Sequence, residues 1–306
     1  MRAVHFGFSS LALGLGKTTF AVFASLLCVL PTHAQAVLRW TFEKGRVYEV
    51  ERVASQKQTV EIRGKQFKQE RQTTWRVRLE VKEKQADAFV LAATLTKVED
   101  QRAGGAGPDM IDPKLGEKMQ GASFALVVTS SGTLVEIKGY EEFLVKLADT
   151  DKARLKALRV TFPEANLREA FTDLFGPLPD KSVAPGDSWQ RSYAEPIPHF
   201  GTLQAKTRYV YDGLSKERDR ISYTIQTKYE LPKNDAMVLF RIVQGTIASE
   251  NAKGQIVFDR TAGHLVQHDR TMFLHGTLVI EAMDRPQSLE FTSENTVKIR
   301  VKARPR

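Results

Sequence analysis

Apolar side chains return at every second position over long stretches of this chain, and that period builds a β-strand with one buried and one wet face. Trp75, Val77, Leu79 and Val81 alternate with Arg76, Arg78, Glu80 and Lys82. Ile221, Tyr223, Ile225, Thr227 and Tyr229 alternate with Ser222, Thr224, Gln226 and Lys228, and Val297, Ile299 and Val301 with Lys298, Arg300 and Lys302. Phe89, Leu91, Ala93 and Leu95 follow the same rule, with Val90 and Ala92 making that strand apolar on both faces. The predicted strands run over 45–63, 66–84, 87–100, 203–213, 218–231, 237–251, 264–283 and 287–302. Most are far longer than the usual strand of about 5–6 residues, and long strands in a twisted sheet must curl, bulge or close toward a barrel. Short polar turns at 62–65, 84–87, 213–218, 251–254 and 284–286 make neighbouring strands antiparallel.

Helical spacing is confined to the middle. Tyr140, Phe143, Leu144 and Leu147 mark one helix, Leu155 and Leu158 a second, and Leu167, Ala170, Phe171, Leu174 and Phe175 a third that Gly176-Pro177 ends. Thr161-x-x-Glu164 reads as a capping box for the third. A short helix fits 113–119, and the Gly-rich stretch 102–112 and the Pro-rich stretch 176–188 read as loops. The fold class is therefore mainly β (α+β): two curved antiparallel sheets of long strands, in halves 37–139 and 177–306, with a helical segment at 140–176 between them. The stretches 127–135 and 257–266 share a strand, a polar turn with a glycine and a re-entering Leu-Val. That likeness fits a duplicated half and equally fits any antiparallel hairpin, with Gly132 and Gly263 supplying positive φ.

Residues 1–36 stand apart. Arg2 and Lys17 precede an uninterrupted apolar run at 19–30, Pro31 breaks it, and Ala34-Gln35-Ala36 offers a small-x-small cleavage site. This is the layout of a secretory signal peptide cleaved near Ala36, and the run is too short for the roughly 20 residues of a membrane-spanning helix. Cys28 is preceded by Leu27, which argues against a lipid-modification site. The expected location is the bacterial periplasm or outside the cell, with no spanning segment after cleavage. Cys28 is the single cysteine of 306 residues, so disulfides and cysteine metal sites are excluded from the mature part.

Removal of Arg2 and Lys17 lowers the formal charge from +9 to +7. Residues 44–84 carry +6 and 297–306 carry +5, whereas 85–296 carry −4. Arg76, Arg78, Lys298 and Arg300 are then candidate contact residues on two basic strand faces. A nucleic-acid surface needs exposed aromatics among the bases, but Trp75 lies on the opposite face from Arg76 and Arg78. Anionic lipid headgroups or another acidic envelope surface suit these faces better.

Catalytic patterns are lacking. His264 and His268 stand four apart on a strand, about 13 Å, too far to share a metal, and His275 faces the other way; the first two read as outer-face residues. No G-x-S-x-G elbow or Ser-x-x-Lys is present. Gly186-Asp187-Ser188-Trp189 reads as a turn with Trp189 anchoring the next strand. Glu141-Glu142 suits a helix start. Gly104, Gly105 and Gly107 lack the Lys-Ser/Thr ending of a phosphate loop. No cofactor or metal is expected.

Leu38-Arg39-Trp40-Thr41-Phe42-x-x-Gly45-x-x-Tyr48, then Pro185-Gly186-Asp187-Ser188-Trp189, then Gly263-His264-Leu265 form an order of short motifs. It resembles secreted bacterial proteins grouped as domain of unknown function 6263, over nearly all of the chain after residue 36. The resemblance implies an exported, β-rich protein and brings no catalytic residue with it. Export and curling strands predict a non-enzymatic envelope protein holding an apolar ligand, such as a lipid, in a concave sheet. The competing reading is a structural protein docking through its basic strand faces. An enzyme would require His199, Asp109 and Asp112 to converge.

Overall fold

The first and last strands of the chain lie side by side. In the computed structural model, β1 (Val47–Ile62) pairs antiparallel with β11 (Arg285–Ala303), from Tyr48 opposite Ala303 to Ile62 opposite Leu289. On its other edge β1 pairs with β2 (Lys65–Gln85), which pairs with β3 (Ala88–Gly104). Then come β4 (Ser123–Thr129) and β5 (Leu134–Lys138). Beyond β11 lie β10 (His264–Ala282), β9 (Arg241–Asp259), β8 (Arg218–Glu230), β7 (Gly201–Ser215) and β6 (Ser188–Ile197). The structure describes residues 35–104, 115–197, 201–231, 241–282 and 285–304, so of the segment read as a leader only Gln35 and Ala36 fall within it.

The expected antiparallel, mainly β architecture is present, with one change. The halves do not form separate sheets; they join in one eleven-stranded sheet with β5 and β6 at its open edges. Local alternation marks a strand and its buried face but not its distant partner, and the β1–β11 seam spans nearly the whole sequence.

The helices α1 (Leu115–Met119), α2 (Tyr140–Ala148), α3 (Lys152–Thr161) and α4 (Glu164–Phe175) follow in the middle. α4 touches both edge strands, β5 and β6, and also β10. A flat sheet of this width separates its edges by about 48 Å, whereas a helix of this length spans about 18 Å. The sheet therefore curls around α4 into an arch that stays open between β5 and β6.

The concave face carries the core. Tyr48 and Val50 on β1, Val77, Leu79 and Val81 on β2, Leu91 and Ala93 on β3, and Ile299 and Val301 on β11 are all buried there. Before β1, Ala36, Leu38, Trp40 and Phe42 are buried in alternation. Trp40 stacks on Phe42 at 4.9 Å and meets Tyr48, Phe175 and Phe258 edge-on. Its indole N–H donates to the Phe175 carbonyl at 2.8 Å, supplying a donor to a carbonyl that the end of α4 leaves without a helical partner. The backbone N–H of Trp40 donates to Ser130 in the β4–β5 turn and that of Thr41 to Gly263 in the β9–β10 turn. The opening aromatic motif is thus the clasp between the two halves.

Two local expectations change. α4 has no side-chain cap: its N-cap is Pro163, and Thr161 ends α3. Proline disfavours helical backbone at the residue before it, so the helix restarts after Phe162. The capped helix is α3, where the Asp151 carboxylate accepts from the N–H groups of Ala153 and Arg154, worth about 1 kcal/mol. Residues 251–254 are not a turn. β9 runs through them with a bulge at Asn251, whose φ is 51°. Gly254 is there for space: a Cβ would lie 2.2 Å from the Tyr223 ring and 2.3 Å from the Asp269 carbonyl. Gly132 and Gly263 adopt φ of 81° and 64°, as their hairpins require. Gly254→Ala is expected to destabilise the fold by about 1–3 kcal/mol through overpacking. Urea unfolding reads this directly, and an unchanged midpoint would disprove the close approach.

Candidate functional site

α4 sits on the concave face with mixed chemistry. Leu167, Ala170, Phe171, Leu174 and Phe175 are buried, with Phe171 edge-on to Phe124 at 5.4 Å. Glu169 and Asp173, four residues apart, share another flank and meet two arginines from the sheet. Asp173 lies 3.6 Å from Arg52 of β1 and 3.5 Å from Arg270 of β10, and Arg270 reaches Glu169 at 3.4 Å. Arg52 also lies over the Trp75 ring, 5.9 Å from its centroid. Burial works against a charged Asp173, yet Arg270 and Arg52 together hold its carboxyl below the usual carboxylate value. The Arg52 Nε and Asp173 Oδ2 atoms are buried without a hydrogen bond of good geometry.

His268 adjoins this seam. Its Nδ1 is 3.0 Å from the Asp173 carbonyl and its Nε2 is 2.7 Å from the Tyr223 hydroxyl. A carbonyl only accepts, so Nδ1 carries the hydrogen and Nε2 accepts from the phenol. Burial lowers the His268 pKa from 6.5, which keeps this neutral form. Burial likewise pushes the Tyr209 phenol up to about 12 and that of Tyr223 well above its ordinary value.

Two cavities flank the seam. One, of about 340 Å³, lies between α4 and strands β6, β7, β8 and β10; its walls include Leu134, Tyr193, Tyr209, Tyr223 and Ile225. Arg168 of α4 and Arg191 of β6 also line it. The other, of about 410 Å³, lies between α2, α4 and strands β1, β2, β10 and β11, against Trp75, Phe143, Phe162, Met272 and Val297. Glu169 and Arg270 line both and form the partition. Both cavities fall in the range of small-molecule pockets, roughly 300–1,000 Å³.

Residues 94–265, more than half of the chain, match the model of a family of unknown function, DUF6263. The chain belongs to that family. The match takes in α4, Asp173 and Tyr223, while Arg52, His268 and Arg270 lie outside it. Among curated proteins, none matches this DUF6263 member. Solved structures similar to it include three that are remote in sequence. A lipovitellin structure is 11% identical, covering 87% of this chain and 26% of its own, with a TM-score of 0.46. An outer membrane channel from Pseudomonas putida F1 is 10% identical over 86% of this chain and 97% of its own, with a TM-score of 0.22. A DUF1329 family protein from Desulfovibrio piger is 11% identical over 82% and 85%, with a TM-score of 0.13. The DUF6263 chain thus spans about a quarter of the lipovitellin chain. These likenesses are remote.

The candidate contact residues sit on the convex face. Arg76 and Arg78 of β2 and Lys298 and Arg300 of β11 are separated by β1, which places Glu51 opposite both Arg76 and Arg300, and Glu49 opposite Arg78. Arg76 pairs with Glu51 at 2.9 Å, Arg78 with Glu80 at 3.5 Å, and Arg300 with Asp269. The basic faces therefore share one surface but alternate with acids across it.

The histidine reading needs correction. His268 is buried on the concave side with the inward parity of Met272, Leu274 and Leu278, and His264, which precedes a bulge at Leu265–Gln267, is buried against Tyr48 with ring centroids 5.8 Å apart. His275 lies on the opposite face from His268, as expected, and that face is the outer one. The 185–189 motif is a turn: Gly186 has φ of 93°, Asp187 accepts from the Ala184 N–H, and Trp189 stacks on Tyr209 at 5.4 Å. Asp109, Asp112 and His199 fall outside the described residues. Among the described residues no group of three or more metal-ligating side chains converges, and no helix is long and apolar enough to cross a membrane.

The seam residues Arg52, Asp173, Arg270 and His268 were not selected from the sequence. Their signal was parity: Arg52 continues Tyr48 and Val50, and His268 and Arg270 lead into Met272 and Leu274. A pH effect follows. With the His268 pKa lowered in the folded state, the unfolded chain takes up its proton first as pH falls below about 6.5. Stability is complete above that value and is lost through the window beneath it; His264 acts in the same direction. His268→Gln, which keeps a donor and an acceptor, is expected to flatten urea-unfolding stability between about pH 7 and 5. A variant that tracks the wild-type profile would clear His268 of this role.

Proposed function

We propose that this protein is exported to the bacterial cell envelope and, without catalysing a reaction, holds a lipid in the concave face of its arch. The carrying observation is the pair of cavities beside α4, walled by aromatic and aliphatic side chains of the inner sheet face. Apolar walls with a few placed polar groups are what an amphiphilic ligand requires. Export is supported by Arg2 and Lys17, the apolar run at 19–30 and the small residues Ala34 and Ala36. A secreted chain without need of cysteine in its folded part agrees with that location.

The full chain, expressed in a bacterium and purified from its envelope fraction, is expected to carry lipid-sized mass in native mass spectrometry. Organic extraction should release that lipid, and Ile225→Trp, which fills the smaller cavity, should reduce it severalfold at unchanged thermal midpoint. A ligand-free mass and an empty extract would rule the reading out.

A second reading has support in the shared convex surface of Arg76, Arg78, Lys298 and Arg300, which suits weak docking on an acidic envelope surface. Glu49, Glu51 and Asp269 dilute that field. Reversal of all four charges should release the protein from the envelope fraction at low salt; unchanged fractionation would reduce the patch to a solvated ladder.

A further inference from the structure

The smaller cavity carries a polarity of its own. Its charged lining comprises Arg168, Arg191 and Arg270 against Glu169 and Asp173. The two acids and Arg270 are tied together in the buried seam with Arg52. The other two arginines are held differently. Arg191 pairs at 3.1 Å with Asp180, whose side chain is 70% exposed. Arg168 pairs at 3.3 Å with Glu164, one helical turn away and 45% exposed. Exposed pairs of this kind are weakly held, so an incoming anionic oxygen group can displace either acid. Arg168 also donates to the Val135 carbonyl and Arg191 to the Leu178 carbonyl, which hold the two guanidinium groups beside the cavity. One arginine comes from α4 and the other from edge strand β6. Tyr193, Tyr209, Tyr223 and Ile225 line the same cavity. Guanidinium forks match carboxylate and phosphate oxygens, and the remaining cation among the described lining residues, Arg270, is held by Glu169 and Asp173 in the seam.

Resting on the lipid-holding reading, we infer that this cavity takes a single-chain amphiphile with an anionic head, the head held by Arg168 and Arg191 and the chain directed along the tyrosine wall. The shared chemistry of the head is an anionic carboxylate or phosphate oxygen group, and the chain distinguishes this ligand from a free anion.

The test is titration of the delipidated full chain, followed by native mass spectrometry and calorimetry, with three probes: oleate below its aggregation limit, monoolein and inorganic phosphate. Oleate is expected to bind at least tenfold more tightly than monoolein, and phosphate to bind weakly. The double variant Arg168→Gln/Arg191→Gln should bring oleate down to the level of monoolein and leave monoolein unchanged. The single variant Arg191→Gln should give an intermediate loss, which guards against a folding defect in the double variant. Ile225→Trp should weaken both lipids together. Equal binding of oleate and monoolein, with both blocked by Ile225→Trp, would overturn the head assignment and leave the lipid reading standing. An oleate preference that survives both arginine substitutions would overturn it as well. Phosphate binding as tight as oleate would replace the amphiphile with a free anion. Failure of both lipids to bind would remove the lipid reading and this inference with it.

Discussion

The antiparallel pairing of β1 with β11 is the constraint on which the rest of this fold depends. It joins strand systems built from opposite ends of the sequence, and every other strand pairing connects neighbours in the chain. Without it the protein would be two open sheets, each with a long unpaired edge, an arrangement that invites pairing with other chains. With it, one sheet becomes wide enough to curl. Loop-closure entropy makes such a contact slow to form, and the Trp40 cluster offsets it from the same side. Trp40 contacts the last residue of α4 and Phe258 of β9, while its backbone holds the β4–β5 turn. One short segment therefore ties the end of the helix to both halves of the arch.

The second organising element is the way α4 meets the sheet. One flank buries leucine and phenylalanine; the other lays Glu169 and Asp173 against Arg52 and Arg270. Buried ion pairs seldom add much net stability over an apolar contact, because desolvation nearly cancels the attraction. Their value is in placement. A buried acid that two arginines reach from the sheet fixes the helix at the register where both contacts form. The His268 contact to the Asp173 carbonyl adds a second fixed point on the same residue. The seam therefore sets where the helix lies over the concave face, and with it the division of the interior into two cavities.

Much of this architecture was legible in the residues. Alternation at 75–82, 221–229 and 297–302 marked strands and their buried faces, and the periodic leucines and phenylalanines at 167–175 marked the inner helix. Gly176 and Pro177 ended it where expected. The illegible parts have specific causes. Strand partnership across the whole chain leaves no local trace, so one sheet looked like two. Asn251 and Gly254 resemble a turn because turns and close backbone approaches select the same residues; here the Tyr223 ring decides. Thr161 and Glu164 imitate a capping box, but Pro163 breaks the backbone between them. The buried seam hid for a different reason. Charged residues on strands are read as solvent-facing, and Arg52, His268 and Arg270 violate that rule only because α4 brings acids to them from a distant part of the chain.

The same geometry explains why the interior is not simply filled. Close packing is the norm for protein interiors, with few voids larger than a water molecule. An arch of eleven strands is wider than one helix, and α2 and α4 together cover only part of it. Between them and the sheet several of the side chains are aromatic rings on rigid strands, which collapse inward less readily than flexible aliphatic chains. Two of these rings are held in place: the Tyr223 hydroxyl donates to His268, and the Tyr209 ring stacks on Trp189. A wall held in this way keeps its shape whether or not something lies against it. Preformed walls reduce the ordering cost of binding, and the polar seam between the cavities keeps each one bounded. On this view the ion pairs of Glu169 and Asp173 with Arg52 and Arg270 belong to no ligand site; they are the frame that keeps the space beside them open.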